Sequence, residues 1–150
     1  MNYQRLLILI IFIFTWQSDA FAQVRLGKTE VGTASFYSHR FNGKKTSFGE
    51  VHQNHELTAA HRIYPHNTML EVKNLANNKT VIVRVTDRGP YSKNRLVDIS
   101  KEAAQTLDMV RTGVAKVSVR VVGMEGIVLV GNDESVDPTL GQVISIRSDQ

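Results

Sequence analysis

Thr80-Val81-Ile82-Val83-Arg84-Val85 runs directly into Thr86-Asp87-Arg88-Gly89-Pro90-Tyr91, and that junction sets the character of the chain. The first half reads as a β-strand, because β-branched residues dominate it. The second half reads as a turn punctuated by Gly89-Pro90. Asp87 therefore falls where a rigid strand ends, a position from which a carboxylate can act on a ligand in a groove. The plainer alternative is that Asp87 and Arg88 pair with each other or cap the turn.

On the N-terminal side, Met69 to Leu75 alternates as a half-buried strand, and Asn77-Asn78 makes the tight turn between it and the strand ending at Asp87. Gly32 to Tyr37 alternates small and aromatic residues as an opening strand. Ser38 to Glu56 is rich in Gly, Asn, Lys and His without apolar periodicity, and loops of that length inside compact domains are usually functional or disordered. Phe41, Phe48, Gly43 and Gly49 suggest an ordered loop packed on the body. Leu57-Thr58-Ala59-Ala60-His61 is a short segment of mostly small residues.

On the C-terminal side, Arg95-Leu96-Val97-Asp98-Ile99 reads as another strand. Ser100 is a good N-cap, and a helix of two to three turns is predicted over Lys101 to Met109 with Ala103, Ala104 and Leu107 inward. Asp98, just before it, reads as a cap or a structural pair. In Val114 to Val122, Val117, Val119 and Val121 alternate with Lys116, Ser118 and Arg120, a strand with one wet face. Several short strands with a single short helix imply a mainly β protein, a small β-barrel. In residues 123–150, Ile127 to Val130 and Val143 to Ile146 allow an extra hairpin or a flexible tail.

Residues 1–22 read as a signal peptide: Arg5, the apolar run Leu6 to Phe14, then Ala20-Phe21-Ala22 as a cleavage signal. The apolar run is short against the roughly 20 residues of a membrane span. A mature N-terminus at Gln23 and a short leader over 23–30 are expected. The chain has no cysteine, so neither a disulfide framework nor a lipid-carrying cysteine is expected. A bacterial periplasm or exterior fits best, without a stable membrane anchor. The net charge of +4 favours an anionic partner such as cell wall, nucleic acid or acidic lipid. No nucleic-acid motif is visible, and a nucleic-acid partner is not expected. Oligomeric state is not readable.

Four segments resemble the rare lipoprotein A family of septal lytic transglycosylases: Gly32-Thr33-Ala34-Ser35-Phe36-Tyr37; Lys45-Thr46-Ser47-Phe48-Gly49-Glu50; Leu57-Thr58-Ala59-Ala60-His61; and Val83 to Pro90 with Arg95 to Ser100. The resemblance covers about residues 31–122, in order and spacing. It implies a six-stranded double-psi β-barrel, as in expansins and barwin-like proteins. It also implies endolytic cleavage of the β-1,4 bond between N-acetylmuramic acid and N-acetylglucosamine in peptidoglycan glycan strands, leaving a 1,6-anhydro ring. It points to Asp87, Glu50 and His61 as the functional polar groups.

Hydrolytic glycosidases use two carboxylates, about 5 Å apart when retaining and about 6.5–9.5 Å when inverting. A lytic transglycosylase needs no water, because the sugar's own C6 hydroxyl attacks C1. One carboxyl then suffices if its pKa is raised toward neutrality, and Asp87 is the first choice. Glu50 would raise that pKa by repulsion, orient a substrate group, or be the acid itself; His61 would hydrogen-bond a carboxylate or the substrate. The structural alternatives are a solvated loop residue for Glu50 and a satisfied wall histidine for His61. Tyr37, Phe41, Phe48 and Tyr91 are candidates to stack on sugar rings, with Arg88 beside them; the alternative is that they fill the core. No cofactor is expected. His39, His52, His55, His61 and His66 fall close together, and His52-x-x-His55 could chelate, but no companion cysteine or carboxylate–histidine helix motif supports a metal. The competing function is a non-catalytic, expansin-like glycan-binding module.

Overall fold

The computed structural model describes residues 26–125 and, beyond them, the strands Ile127–Val128, Glu134–Asp137 and Gln142–Ser145. The expected signal peptide and the Gln23 terminus lie outside the described residues. Six strands close on themselves: β1 (Thr29–Phe36), β2 (Thr58–His61), β3 (Thr68–Asn74), β4 (Thr80–Asp87), β5 (Val97–Ile99) and β6 (Val114–Met124). Their order around the barrel is β1-β5-β2-β4-β3-β6, with β6 returning to β1. Two pairs, β1 with β5 and β2 with β4, are parallel; the rest are antiparallel. This is the mixed, closed six-stranded barrel of the double-psi type. Closure leaves no sheet edge unpaired around the ring.

The core follows from period-two alternation. Leu70 and Val72 of β3, Val81, Val83 and Val85 of β4, and Val117, Val119 and Val121 of β6 point inward and are buried. Gly32 sits where Leu96 crosses β1. A Cβ there would lie 2.6 Å from the Leu96 Cβ, so only glycine permits this approach.

The helix α1 (Lys101–Thr106) is shorter than the predicted span. Ser100 caps it, its hydroxyl accepting from the Ala103 N–H at 3.3 Å. The chain then turns at Asp108, which takes a φ of 52°, so that both Leu107 and Met109 are buried. The Leu107 carbonyl accepts from the side-chain amides of Asn74 and Asn77, each at 3.0 Å. Tertiary satisfaction of that carbonyl thus replaces another helical turn. Beyond the ring, β7 (Ile127–Val128) pairs with β6, while β8 (Glu134–Asp137) pairs with β9 (Gln142–Ser145).

Candidate active site

A cleft of about 330 Å³ opens on the outer wall of the barrel. Asp87 and Asp98 both line it, with Phe36, Tyr37, Phe41 and Tyr91 as its aromatic residues and Arg40, Arg88 and Arg95 as its cations. Strand register explains the two carboxylates. Ala60 of β2 lies opposite Asp87 of β4 on one side and opposite Asp98 of β5 on the other. The β2–β4 ladder slips between Ala59 and Ala60, and this bulge brings Asp87, not Thr86, level with Ala60. Two strand spacings separate the two aspartate backbones by roughly 10 Å.

Asp87 is held by four donors. Its Oδ1 accepts from the Ser47 N–H and the Arg88 N–H, each at 2.8 Å, and from the Ser47 hydroxyl. Its Oδ2 accepts from the Tyr37 hydroxyl at 2.8 Å. Burial, the largest single influence, pushes the carboxyl upward, but the hydrogen bonds of Ser47, Tyr37 and the Arg88 N–H together outweigh it. The net result is an Asp87 held below the usual carboxylate range. This corrects the expectation of an acid raised toward neutrality: Asp87 rests ionised. Tyr37 is pushed the other way, by burial first and then by the Asp87 charge, so it remains a donor. Its ring meets Phe41 edge-on at 5.6 Å and tilts against His52 at 4.4 Å.

Asp98 accepts from the Ser35 hydroxyl at 2.6 Å, and the Arg95 guanidinium lies 3.4 Å away. It caps no helix, since Ser100 does that. The alternation of buried Val97 and Ile99 was the signal that Asp98 must face outward, beside Ala60. Sequence reasoning set this residue aside, and the structure places it in the cleft.

Glu50 and His61 do not line this cleft. Glu50 is engaged by Arg84 and His66 instead. Its carboxylate takes Arg84 Nη1 at 2.7 Å and Nη2 at 2.8 Å and also contacts His66 Nε2. The Arg84 hydrogen bond, then His66, hold Glu50 down at about 2 against the opposing effect of burial.

His61 follows Ala60 on β2, so alternation turns it to the inner face with Ala59. Its Nδ1 accepts from the Tyr64 N–H at 3.2 Å, and its ring stacks on Tyr64 at 4.2 Å. Phe48 lies outside the lining as well, stacked on His66 at 4.8 Å with the Arg88 guanidinium 4.6 Å from its ring centre. Arg88 reaches the cleft, but its guanidinium donates to the carbonyls of His61 and Tyr64. Tyr37, Phe41 and Tyr91 line the cleft, with Tyr91 90% exposed.

His61 makes a stability prediction. Burial pushes its imidazole down to about 4, so the fold favours the neutral ring. That contribution is complete above the ordinary histidine value near 6.5 and is lost as pH falls toward about 4. It amounts to as much as about 3 kcal/mol. Denaturant unfolding at steps between pH 7 and pH 4 should show this loss, and His61→Gln should flatten the slope across that window.

Residues 29–119 match the family described as lytic transglycolase. A Campylobacter jejuni protein named endolytic peptidoglycan transglycosylase RlpA is 51% identical over 100 residues, covering 67% of this chain and 36% of the relative. A Helicobacter pylori protein of the same name is 39% identical over 122 residues, covering 81% of this chain and 39% of the relative. The chain thus spans little more than a third of the length of these relatives. Among solved structures, a Streptomyces papain inhibitor superposes with a TM-score of 0.54 at 19% identity, covering 65% of this chain and 97% of that one. The apo expansin of Clavibacter michiganensis gives 0.52 at 21%, covering 63% and 50%. At such identity these likenesses speak for the barrel alone.

Proposed function

The chain belongs to the lytic transglycolase family, and on that premise we propose that it is an endolytic peptidoglycan transglycosylase whose cleft cuts the bond between N-acetylmuramic acid and N-acetylglucosamine. The observation that carries this reading is the pair of carboxylates, Asp87 and Asp98, in one cleft edged with exposed aromatic rings. Aromatic faces suit sugar rings, and carboxylates suit proton transfer at the bridging oxygen.

The resting state of Asp87 assigns the proton traffic. An ionised carboxylate is the form that accepts a proton, so Asp87 takes the proton of the muramic acid C6 hydroxyl as that oxygen attacks C1. The C1–O bond to the leaving sugar breaks in the same event, and its electron pair stays on the leaving oxygen. That oxygen is then protonated by Asp87, which carries the proton just taken from C6, while Asp98, across Ala60, holds Ser35 and Arg95 in the cleft wall. Tyr37 keeps Asp87 Oδ2 oriented through its hydroxyl. Digestion of purified sacculi followed by mass spectrometry tests the reading: soluble fragments ending in 1,6-anhydro-muramic acid support it.

Glycan binding without bond cleavage is the second reading. The observation in its favour is that four hydrogen bonds hold Asp87 in a form that cannot donate a proton. Sacculi that bind the protein but release no fragments would select it.

Residues 1–22 carry the pattern of an export signal, and we propose that the protein is exported, unlipidated, to where peptidoglycan lies. Its positive charge would aid retention on the anionic wall. N-terminal sequencing of the mature protein should begin at Gln23, and a salt wash should release it from the envelope fraction, since exposed charges are screened over about 8 Å at physiological ionic strength. Release only by detergent would overturn this.

A further inference from the structure

We propose that Glu50 is a positioning residue whose ion pair with Arg84 clamps the Thr46–Glu50 turn onto β4, so that Ser47 grips the Asp87 carboxylate in its working orientation. The inference rests on the reading of Asp87 as the proton acceptor.

The turn is tight and closed at its base. The Thr46 N–H donates to the Glu50 carbonyl at 2.7 Å, the Gly49 N–H to the Thr46 carbonyl at 3.0 Å, and Lys45 bridges to Val51. Gly49 takes a φ of 88°, which a residue with a side chain rarely adopts. Three side chains of this turn meet three side chains at the end of β4 and just past it: Ser47 meets Asp87, Phe48 meets Arg88, and Glu50 meets Arg84. The Arg84–Glu50 contact is a two-pronged, charge-assisted fork, the most directional of the three. Arg84 is itself fixed by the Asn67 side-chain oxygen, which accepts from its Nη1 at 2.8 Å. The turn thus has a rigid anchor on the same strand that carries Asp87.

Both Glu50 oxygens are engaged by Arg84, and Glu50 does not line the cleft. A group so placed acts on the reaction through what it holds. What it holds is Ser47, which supplies two of the four donors to Asp87. The other groups that face Asp87 do not belong to the turn: Tyr37 at the end of β1, His52 further along the loop, Arg88 beside it, and Asp98, Arg40 and Arg95 across the cleft. Around Arg84 and Glu50 the remaining charged neighbours are His66, Glu56 and Glu125.

The experiment compares Glu50→Gln, Arg84→Lys, Ser47→Ala and the Glu50→Gln/Ser47→Ala double variant with wild type. Each is followed by thermal melting, by turnover on glycan strands, and by an NMR titration of the Asp87 carboxyl assigned through Asp87→Asn. All should remain folded. Glu50→Gln and Ser47→Ala should each lose kcat by roughly 10- to 100-fold, with KM little changed. In both, Asp87 should titrate at higher pH than in wild type, because donors to its ionised form are lost. The double variant should be no worse than Ser47→Ala alone, since both act through one contact. Arg84→Lys keeps the charge but not the fork, and should shift Asp87 in the same direction. Two results overturn the proposal: Glu50→Gln losing activity while Asp87 titrates as in wild type, which would put Glu50 on the substrate, or Glu50→Gln changing neither. If wild type releases no anhydro ends, the transglycosylase reading fails by itself, and the titration still reports on the clamp.

Discussion

Asp87→Asn should fold and should lose glycan-cleaving activity by about 10²- to 10⁴-fold, the usual worth of a positioned acid or base. The amide has the size of the carboxylate. Its oxygen can still accept from the Ser47 and Arg88 N–H groups, and its NH₂ can donate to the Tyr37 hydroxyl, so the strand end keeps its geometry. It cannot accept a proton from a sugar hydroxyl. Because the folded protein holds Asp87 below the ordinary carboxylate range, the wild-type rate should persist into acid and fall only as pH drops below that range. Unchanged melting with lost turnover is the expected pair of observations. Near-normal release of fragments by the variant would remove Asp87 from the chemistry.

The second large effect is expected at Asp98. Asp98→Asn keeps the acceptor for the Ser35 hydroxyl but removes the charge 3.4 Å from Arg95 and, among the described residues, the one carboxyl besides Asp87 that lines the cleft. Loss of the carboxylate that holds the Arg95 guanidinium in the cleft should cost roughly 10- to 100-fold. The substrate chosen for assay can separate acid loss from binding loss. A glycan with a synthetic leaving group of low pKa needs little protonation, so Asp98→Asn should lose as much on it as on the natural strand. A loss confined to the natural strand would instead make Asp98 the donor of the leaving oxygen's proton.

Much of the barrel was readable from alternation. Val117, Val119 and Val121 against Lys116, Ser118 and Arg120 placed β6 with its buried face, and Asn78 marked the turn between β3 and β4 by taking a φ of 61°. The order of strands was not readable, because β5 enters between β1 and β2 through long-range pairing that no local pattern encodes. The resemblance supplied that topology. The site was partly legible for the same reasons. Asp87 stood out as the end of a strong strand, and Tyr37, Phe41 and Tyr91 lay near it in motif order. Phe48 and Glu50 belong to a turn whose partners, Arg88 and Arg84, are far along the chain, so their roles emerge only from packing.

His61 and Asp98 illustrate a different lesson. Both lie on short strands, where a period of two over three or four residues already decides which face a side chain takes. Reading Ala60 as the cleft-facing residue turns His61 inward and, through register, brings Asp98 out beside Asp87. That inference was available in the sequence only once the pairing of β2 with both neighbours was known. His61 is buried in the barrel wall, and Asp98, read as a cap or a structural pair, does pair with Arg95 and also lines the cleft.

Digestion in heavy-oxygen water distinguishes attack on C1 by the substrate's own C6 hydroxyl from attack by water. Sacculi or glycan strands incubated with the wild-type protein in such water should yield muramic acid ends of the 1,6-anhydro type with no heavy oxygen incorporated, as read by mass spectrometry. Fragments with reducing muramic acid ends carrying heavy oxygen would show that water is the nucleophile and would contradict the account.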